Sequence, residues 1–273
     1  MKSRFLSFVL VALALLVALP QASGARAAAF SRTIYLPFIR KALNCSTGES
    51  YGSFTPSLPV ADPPAAQSGD LNLLLRGYDN VDSRGYTRGL VYTPSSDHDS
   101  RAPQLNTMLN RVPAFTHVYQ VYDWNWGGTP PYGSKGSRID PNNCPLGSCP
   151  DVTLLGFGTN VGEKVYLPTS GYGDIAGGTY YALVLYATAS TITLKYTAED
   201  NVVRGYTVQV NNVCVDPALL AAYNAANAAG RRPLTALRSH QAFGVASGAE
   251  IGVAIRDSGT YMDPRLYDDW WNP

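Results

Sequence analysis

The three histidines, His98, His117 and His240, are the residues best suited to bind a metal or to transfer a proton near neutral pH. His98 lies in the polar stretch SSDHDS, whereas His117 lies in an aromatic stretch and His240 precedes QAFG. None of the zinc-binding patterns H-x-H, H-E-x-x-H or C-x-x-C occurs in the sequence. We therefore expect three unrelated histidines and no cofactor.

Aromatic side chains are concentrated in the stretch VYQVYDWNWGGTPPYG, beside a loop rich in Gly and Pro. Exposed Trp and Tyr side chains stack on sugar rings or on partner surfaces, which makes this stretch a candidate binding surface. Its candidate stacking residues are Tyr122, Trp124, Trp126 and Tyr132. Aromatic residues also fill the cores of β structures. Burial of both tryptophans here, and of the two near the C-terminus, would favour a purely structural surface protein.

The elements that carry these residues are predicted to be strands. The sequence of 273 residues contains 25 Gly, 19 Pro and 18 Tyr with little helical periodicity, which favours an all-β antiparallel barrel or sandwich. Strand-like segments include AFTHVYQVYDWNW, VTLLGFG, YYALVLYA, TITLKYT and GYTVQVNNVCV. One short helix is predicted near residues 217–229, because Asp216 suits its N-cap, Pro217 its first turn and Gly230 its end.

Composition divides the chain into four parts. Residues 1–27 combine two basic residues, an apolar run and an Ala-x-Ala site, which is the pattern of a secretory signal peptide. Residues 28–69 include a Ser-, Pro- and Ala-rich stretch that predicts a flexible linker or surface arm. We expect a β-rich aromatic region with a disulfide loop over residues 70–150, and a more regular β domain over residues 151–273.

The N-terminal pattern predicts a protein that is secreted or held at the cell envelope. A retained membrane anchor is the alternative, although the apolar run is short for a bilayer span. No later segment has the length and apolarity to cross a membrane, so we expect no transmembrane segment after cleavage. The formal net charge of +1 gives no general attraction for nucleic acid.

The four cysteines form an even set, which secretion makes a candidate for two disulfides rather than for a zinc site. In NNCPLGSCP the short spacing favours a loop closed by Cys144 and Cys149, which leaves Cys45 to pair with Cys214. Four cysteines allow three pairings, so the connectivity stays open at this point.

The C-terminal half contains the stretches SHQAFGVASG, EIGVAIR, DSG and TYMDP in succession. This order resembles the β-barrel of lysostaphin-type zinc metallopeptidases, the duplicated hybrid motif, in which G-Q-x-I-G-x-x-G precedes H-L-H-F-E-V-R, a glycine turn and D-P. The resemblance extends over roughly Gly171 to Pro264. It implies a barrel whose strand EIGVAIR turns Ile251, Val253 and Ile255 towards the core and the intervening side chains towards a groove.

The departures from that family fall on its zinc ligands. Glu250 and Gly252 stand where the family has H-x-H, and SGYGD is the only match for its H-x-x-x-D motif. The resemblance therefore implies a degenerate barrel with a vestigial groove and no catalytic zinc. The residues of this groove would be Ser170, Asp174, Glu250, Gly252 and Arg256. Zinc is expected only under the alternative of a divergent metallopeptidase that uses Asp174, Glu250 and a distant histidine.

These observations favour a secreted, non-catalytic binding or structural protein of the cell envelope. A cell-wall glycan or a peptide derived from peptidoglycan is the expected partner, because the family implied by the resemblance binds wall peptides and the aromatic stretch offers stacking surfaces. The alternatives are a secreted cell-wall hydrolase and a purely structural surface protein. Nothing in the sequence indicates an oligomeric state.

Overall fold

The structure is a computed structural model that describes residues 42–57, 64–92, 99–127, 129, 132–138, 151–171 and 175–272. With 40% strand and 14% helix it confirms the predicted all-β class. The predicted signal peptide, Asp174, Cys144 and Cys149 lie outside the described residues. No helix within the described ranges combines the length and apolarity needed to span a membrane.

The secondary structure consists of fourteen strands and three α-helices in the described part of the chain, besides three single-turn 3-10 helices. The strands are β1 (Gly52–Phe54), β2 (Tyr78–Asn80), β3 (Phe115–Trp126), β4 (Gly133–Arg138), β5 (Leu154–Gly158), β6 (Lys164–Tyr166), β7 (Ala182–Ala187), β8 (Thr191–Lys195), β9 (Tyr206–Asn211), β10 (Val213–Val215), β11 (Leu234–Leu237), β12 (Ala242–Ala246), β13 (Glu250–Asp257) and β14 (Thr260–Met262). The helices are α1 (Leu73–Arg76), α2 (Pro217–Ala228) and α3 (Tyr267–Trp270).

Eleven strands form one antiparallel sheet in the order β1-β11-β7-β8-β9-β13-β5-β3-β2, with β14 added beside β13 and β4 beside β3. The other three form a small sheet in the order β10-β12-β6. Strand β3 pairs with β5, so the sheet continues across the boundary predicted at residue 150. The described residues from Ala42 onwards belong to one compact unit.

The predicted helix is α2, and it is the one helix of seven or more residues in the described chain. The Asp216 carboxylate accepts a hydrogen bond from the backbone N–H of Ala218 at 2.7 Å, and Pro217 occupies the first turn. These are the capping interactions that the sequence predicts. The helix buries Leu219 and Tyr223 and exposes most of its alanines.

The two faces of β13 differ in their surroundings. Ile251, Val253 and Ile255 are fully buried in the main hydrophobic core, as the alternation predicts. On the opposite face Ala254 packs in a second, smaller cluster with Leu73, Val121, Leu154 and Tyr261. The central part of β13 is therefore covered on both faces.

The segment expected to be a flexible linker is docked on the sheet wherever it is described. Strand β1 pairs with β11, and a disulfide joins Cys45 to Cys214 as expected. The backbone N–H and the hydroxyl of Thr47 both donate hydrogen bonds to the Asp216 carboxylate. A cross-link and long-range hydrogen bonds thus fix the described part of a segment that has no periodic apolar pattern of its own.

Candidate functional site

Glu250, at the start of β13, is the centre of a polar cluster at the open end of the sheet face. Its carboxylate is 2.6 Å from His117 Nδ1 and accepts a hydrogen bond from the Tyr119 hydroxyl at 2.7 Å. The Thr116 hydroxyl also donates to it. The Glu250 side chain is 20% exposed and that of His117 is 45% exposed, so the cluster is open to solvent on the histidine side.

The ionisation of Glu250 follows from these contacts. Burial raises the pKa of this carboxyl, but hydrogen bonds from His117, Thr116 and Tyr119 outweigh burial and hold the pKa below its ordinary value. Burial and the neighbouring carboxylate raise the pKa of Tyr119 above its ordinary value. At neutral pH the cluster is thus a carboxylate surrounded by donors, an arrangement that positions the His117 ring.

A β-bulge in β3 brings both Thr116 and His117 to Glu250. Phe115 pairs with Phe157 and Val118 pairs with Leu155, so two residues of β3 oppose one residue of β5. The 133 residues that separate His117 from Glu250, together with the irregular register, explain why sequence reasoning missed this contact. The aromatic and β-branched pattern predicted the strand but contained nothing that indicated the bulge.

Two glycines allow polar side chains to lie across the strands beneath this cluster. A Cβ atom on Gly156 would lie 2.5 Å from Glu250 Oε2, and one on Gly252 would lie 2.1 Å from Asn211 Oδ1. The Asn211 amide in turn donates to the Tyr78 hydroxyl at 2.6 Å. Gly252 was predicted to line a groove, but the Asn211 side chain fills the space beside it.

Arg256, predicted to face the same groove, is buried and has a structural role. Its guanidinium donates to the backbone carbonyl of Gly259 in the β13–β14 turn and lies 2.9 Å from the Asp70 carboxylate. Asp70 also forms an ion pair with Arg76 at 2.7 Å. Burial raises the pKa of Asp70, but the two guanidinium groups outweigh burial and lower it below its ordinary value.

The segment around Asp70 covers the middle of the predicted groove. The backbone carbonyl of Asp70 accepts hydrogen bonds from Gln209 of β9 and from Arg256, each at 3.0 Å. The next carbonyl, that of Leu71, accepts a hydrogen bond from the Thr193 hydroxyl of β8 at 2.6 Å. The groove implied by the resemblance is therefore closed over β8, β9 and most of β13.

Ser170 does not join Glu250. It lines a separate cavity of about 300 Å³ with Asp99, Tyr206 and Asp257, and its hydroxyl donates to the backbone carbonyl of Arg101 at 2.5 Å. Asp257 and Glu250 are the two ends of β13, an eight-residue strand that spans about 23 Å. Ser170 therefore lies near the Asp257 end of β13, whereas Glu250 is at the other end, so the structure does not bring these two predicted residues together.

The residues around Glu250 do not fit a zinc site. Within the described ranges no group of three or more His, Cys, Asp or Glu side chains is placed to hold a metal ion. Glu250 already accepts hydrogen bonds from two hydroxyl groups and contacts His117, whereas a catalytic zinc takes three protein ligands. The cluster instead supplies a carboxylate and one oriented imidazole.

The stretch GESYG, Gly48–Gly52, matches the G-x-S-x-G pattern that places a nucleophilic serine on a strand-to-helix turn. Ser50 is exposed in an extended segment that continues into β1, not into a helix. Its backbone carbonyl accepts a hydrogen bond from Gln241 at 2.8 Å. This segment therefore lacks the structural context that a nucleophile elbow requires.

The aromatic residues divide into a supporting set and an exposed set on the hairpin of β3 and β4. Trp124 is 6% exposed, whereas Trp126 is 53% exposed. The two rings meet edge to face with centroids 6.4 Å apart. Tyr122 is half-buried with its hydroxyl 2.5 Å from the Asp79 carboxylate, and Tyr132 is half-buried at the turn. Of the four predicted stacking residues, Trp126 presents the most open ring.

The two tryptophans near the C-terminus are buried. Trp270 and Trp271 are 1% and 4% exposed, and each indole N–H donates a hydrogen bond to a backbone carbonyl. Trp271 also packs against Phe115 and Phe157 of the sheet. These residues close the core and offer no stacking surface.

No protein-family model, no curated protein and no solved structure matches this chain. The likeness to the metallopeptidase barrel accordingly stays a prediction made from the residues.

Proposed function

We propose that this protein is a secreted, non-catalytic binding protein of the cell envelope whose ligand is a cell-wall glycan. The observation that carries the proposal is the exposed ring of Trp126 on a hairpin that is itself well packed. The Cys45–Cys214 disulfide supports an oxidising, extracytoplasmic location.

The packing of Trp124 favours a preformed binding surface. A Cβ atom on Gly69 or on Gly133 would lie 2.3–2.4 Å from the indole of Trp124, so both glycines are required for its burial. The Trp126 ring meets this fixed ring in an edge-to-face contact. A rigid aromatic ring loses little conformational entropy on binding, and a large apolar group left in solvent marks an interaction surface.

The geometry around Glu250 supports binding rather than hydrolysis. The groove in which a peptidase would hold its metal is covered by the segment around Asp70, and Arg256 is held by Gly259 and Asp70. Glu250 and Gly252, which stand where the resemblance would place zinc ligands, belong to a scaffold formed by the paired strands β3, β5 and β13. The hairpin β3–β4 extends from that scaffold.

The proposal is tested by sedimentation of the protein with purified cell wall. We expect saturable binding by the wild type and about tenfold weaker binding by Trp126→Ala, a change that corresponds to about 1.4 kcal/mol. Tyr92→Ala is the matched control, because Tyr92 is also an exposed aromatic residue, 66% exposed, and its ring packs against Tyr267 of α3. Absence of wild-type binding, or equal binding by Trp126→Ala, would remove the proposal.

A second candidate is a hydrolase in which His117 transfers a proton. The 2.6 Å contact between His117 and Glu250 favours it, because a carboxylate that orients an imidazole is a common feature of acid–base catalysis. In its zinc-dependent form this candidate predicts stoichiometric zinc by elemental analysis and loss of stability in a chelator. The binding proposal predicts neither.

A further inference from the structure

We infer that the glycan bound at the hairpin is acidic, and that Lys135 recognises its carboxylate. This inference rests on the proposed function and adds the charge of the ligand to it. Its basis is an exposed ammonium group that is held in place by an aromatic ring rather than by a carboxylate.

Lys135 lies on β4 directly opposite Trp124 of β3. Its ammonium group is 3.4 Å from the centroid of the Tyr122 ring, a cation–π contact. It also lies over Gly77, where a Cβ atom would be 3.6 Å from Nζ. The Tyr122 ring is fixed in turn by the hydrogen bond of its hydroxyl to Asp79. The position of the charge is thus set before any ligand arrives.

The charge of Lys135 is not neutralised by a neighbour in the described part of the chain, where no carboxylate lies within salt-bridge distance of its Nζ. Two other exposed cations, by contrast, form ion pairs: Arg88 with Asp82 at 2.8 Å, and Arg111 with Glu163 at 2.8 Å. An exposed lysine on a rigid support retains three ammonium donors, of which a ligand carboxylate can accept one or two.

The order of groups along the hairpin fits an oligosaccharide. Trp126 is at the end of β3, Trp124 is its buried neighbour, and Tyr122 with Lys135 follows further along the strand. Four residues of strand span about 13 Å, so a sugar stacked on Trp126 and a carboxylate at Lys135 belong to different rings of one chain. The hairpin therefore suits a chain of sugars that bears carboxylates, such as uronic acids or sugars with an acidic ether.

The test compares a galacturonic acid trisaccharide with its carboxyl-reduced, neutral counterpart, with binding followed by tryptophan fluorescence and calorimetry. We expect the wild type to bind the acidic trisaccharide roughly fivefold more tightly, with the difference lost at high salt. Lys135→Gln should abolish this preference without weakening the neutral trisaccharide, and Lys135→Arg should retain it. Trp126→Ala should weaken both sugars.

The outcomes distinguish failure of the acidic-ligand inference from failure of the proposed glycan binding. Equal affinity for the two sugars, or an unchanged preference in Lys135→Gln, would overturn the acidic ligand and leave glycan binding at Trp126 intact. Absence of binding by both sugars to the wild type would contradict glycan binding itself and the acidic ligand with it. Circular dichroism of each variant checks that the exposed substitutions leave the fold unchanged.

Discussion

The face of β13 and the hairpin of β3 and β4 contain similar chemical groups but use them in opposite ways. On β13 the charges are satisfied internally, because Asp70 neutralises Arg256 and three side chains contact Glu250. On the hairpin Lys135 is exposed on an aromatic ring and Trp126 is exposed beside a buried one. Groups that are left unsatisfied and accessible are available to a ligand, so the comparison assigns stability to the first region and binding to the second.

The largest expected effect is a loss of stability when the ion pairs beside β13 are broken. Asp70→Ala would leave Arg256 without an ion pair and Arg76 with only the exposed Asp123 carboxylate at 3.5 Å, and the side chains of Arg76 and Arg256 are only 5% and 4% exposed. Removal of one partner from a buried ion pair costs about 3 kcal/mol, which should appear as a lower free energy of unfolding in urea. Asp123→Ala is the control, because this carboxylate is 66% exposed and 3.5 Å from Arg76. The expected change there is below about 0.5 kcal/mol, and equal losses in both variants would contradict the assignment.

A smaller effect is expected from Gly252→Ala. The new methyl group would lie 2.1 Å from Asn211 Oδ1, and overpacking of this kind costs about 1–3 kcal/mol. Gly248→Ala provides the comparison, since nothing lies within 4 Å of the added Cβ at that position. Thermal unfolding of both variants is the measurement, and we expect a lower melting temperature for Gly252→Ala only. A stable Gly252→Ala variant would mean that an open groove, not a packed row, lies beside Glu250.

The smallest of these stability effects should depend on pH. The pKa of Glu250 is held below its ordinary value of 4.5, so its ionised form stabilises the fold above that value and the contribution is lost as the pH falls through the lowered pKa. Glu250→Gln should therefore cost about 1–2 kcal/mol at pH 7 and less near pH 3. Urea unfolding at the two pH values measures the difference. An equal cost at both would mean that the ionised carboxylate contributes nothing.

Local patterns predicted much of the fold. Alternation placed Ile251, Val253 and Ile255 in the core, and the Asp-Pro pair marked the start of α2. Both features depend on neighbours along the chain, which is why the sequence alone was sufficient for them. The Cys45–Cys214 bridge was the favoured one of three pairings that the sequence left open.

The candidate site was predicted less well, because it depends on contacts between distant residues. The bulge at Thr116 and His117 has no sequence signature, and the Asp70 segment is held through its backbone carbonyls, which any residue could present. Trp124 and Trp126 look equivalent in sequence, two residues apart in one strand. Their different exposure arises because Gly69 and Gly133 pack against the first ring only.

The comparison between the two regions is tested most directly by one titration of purified cell wall with the wild type, Trp126→Ala and Glu250→Gln. We expect about tenfold weaker binding for Trp126→Ala and binding within about twofold of the wild type for Glu250→Gln. The reverse order, in which Glu250→Gln loses binding and Trp126→Ala retains it, would place the ligand on the face of β13 and contradict the account.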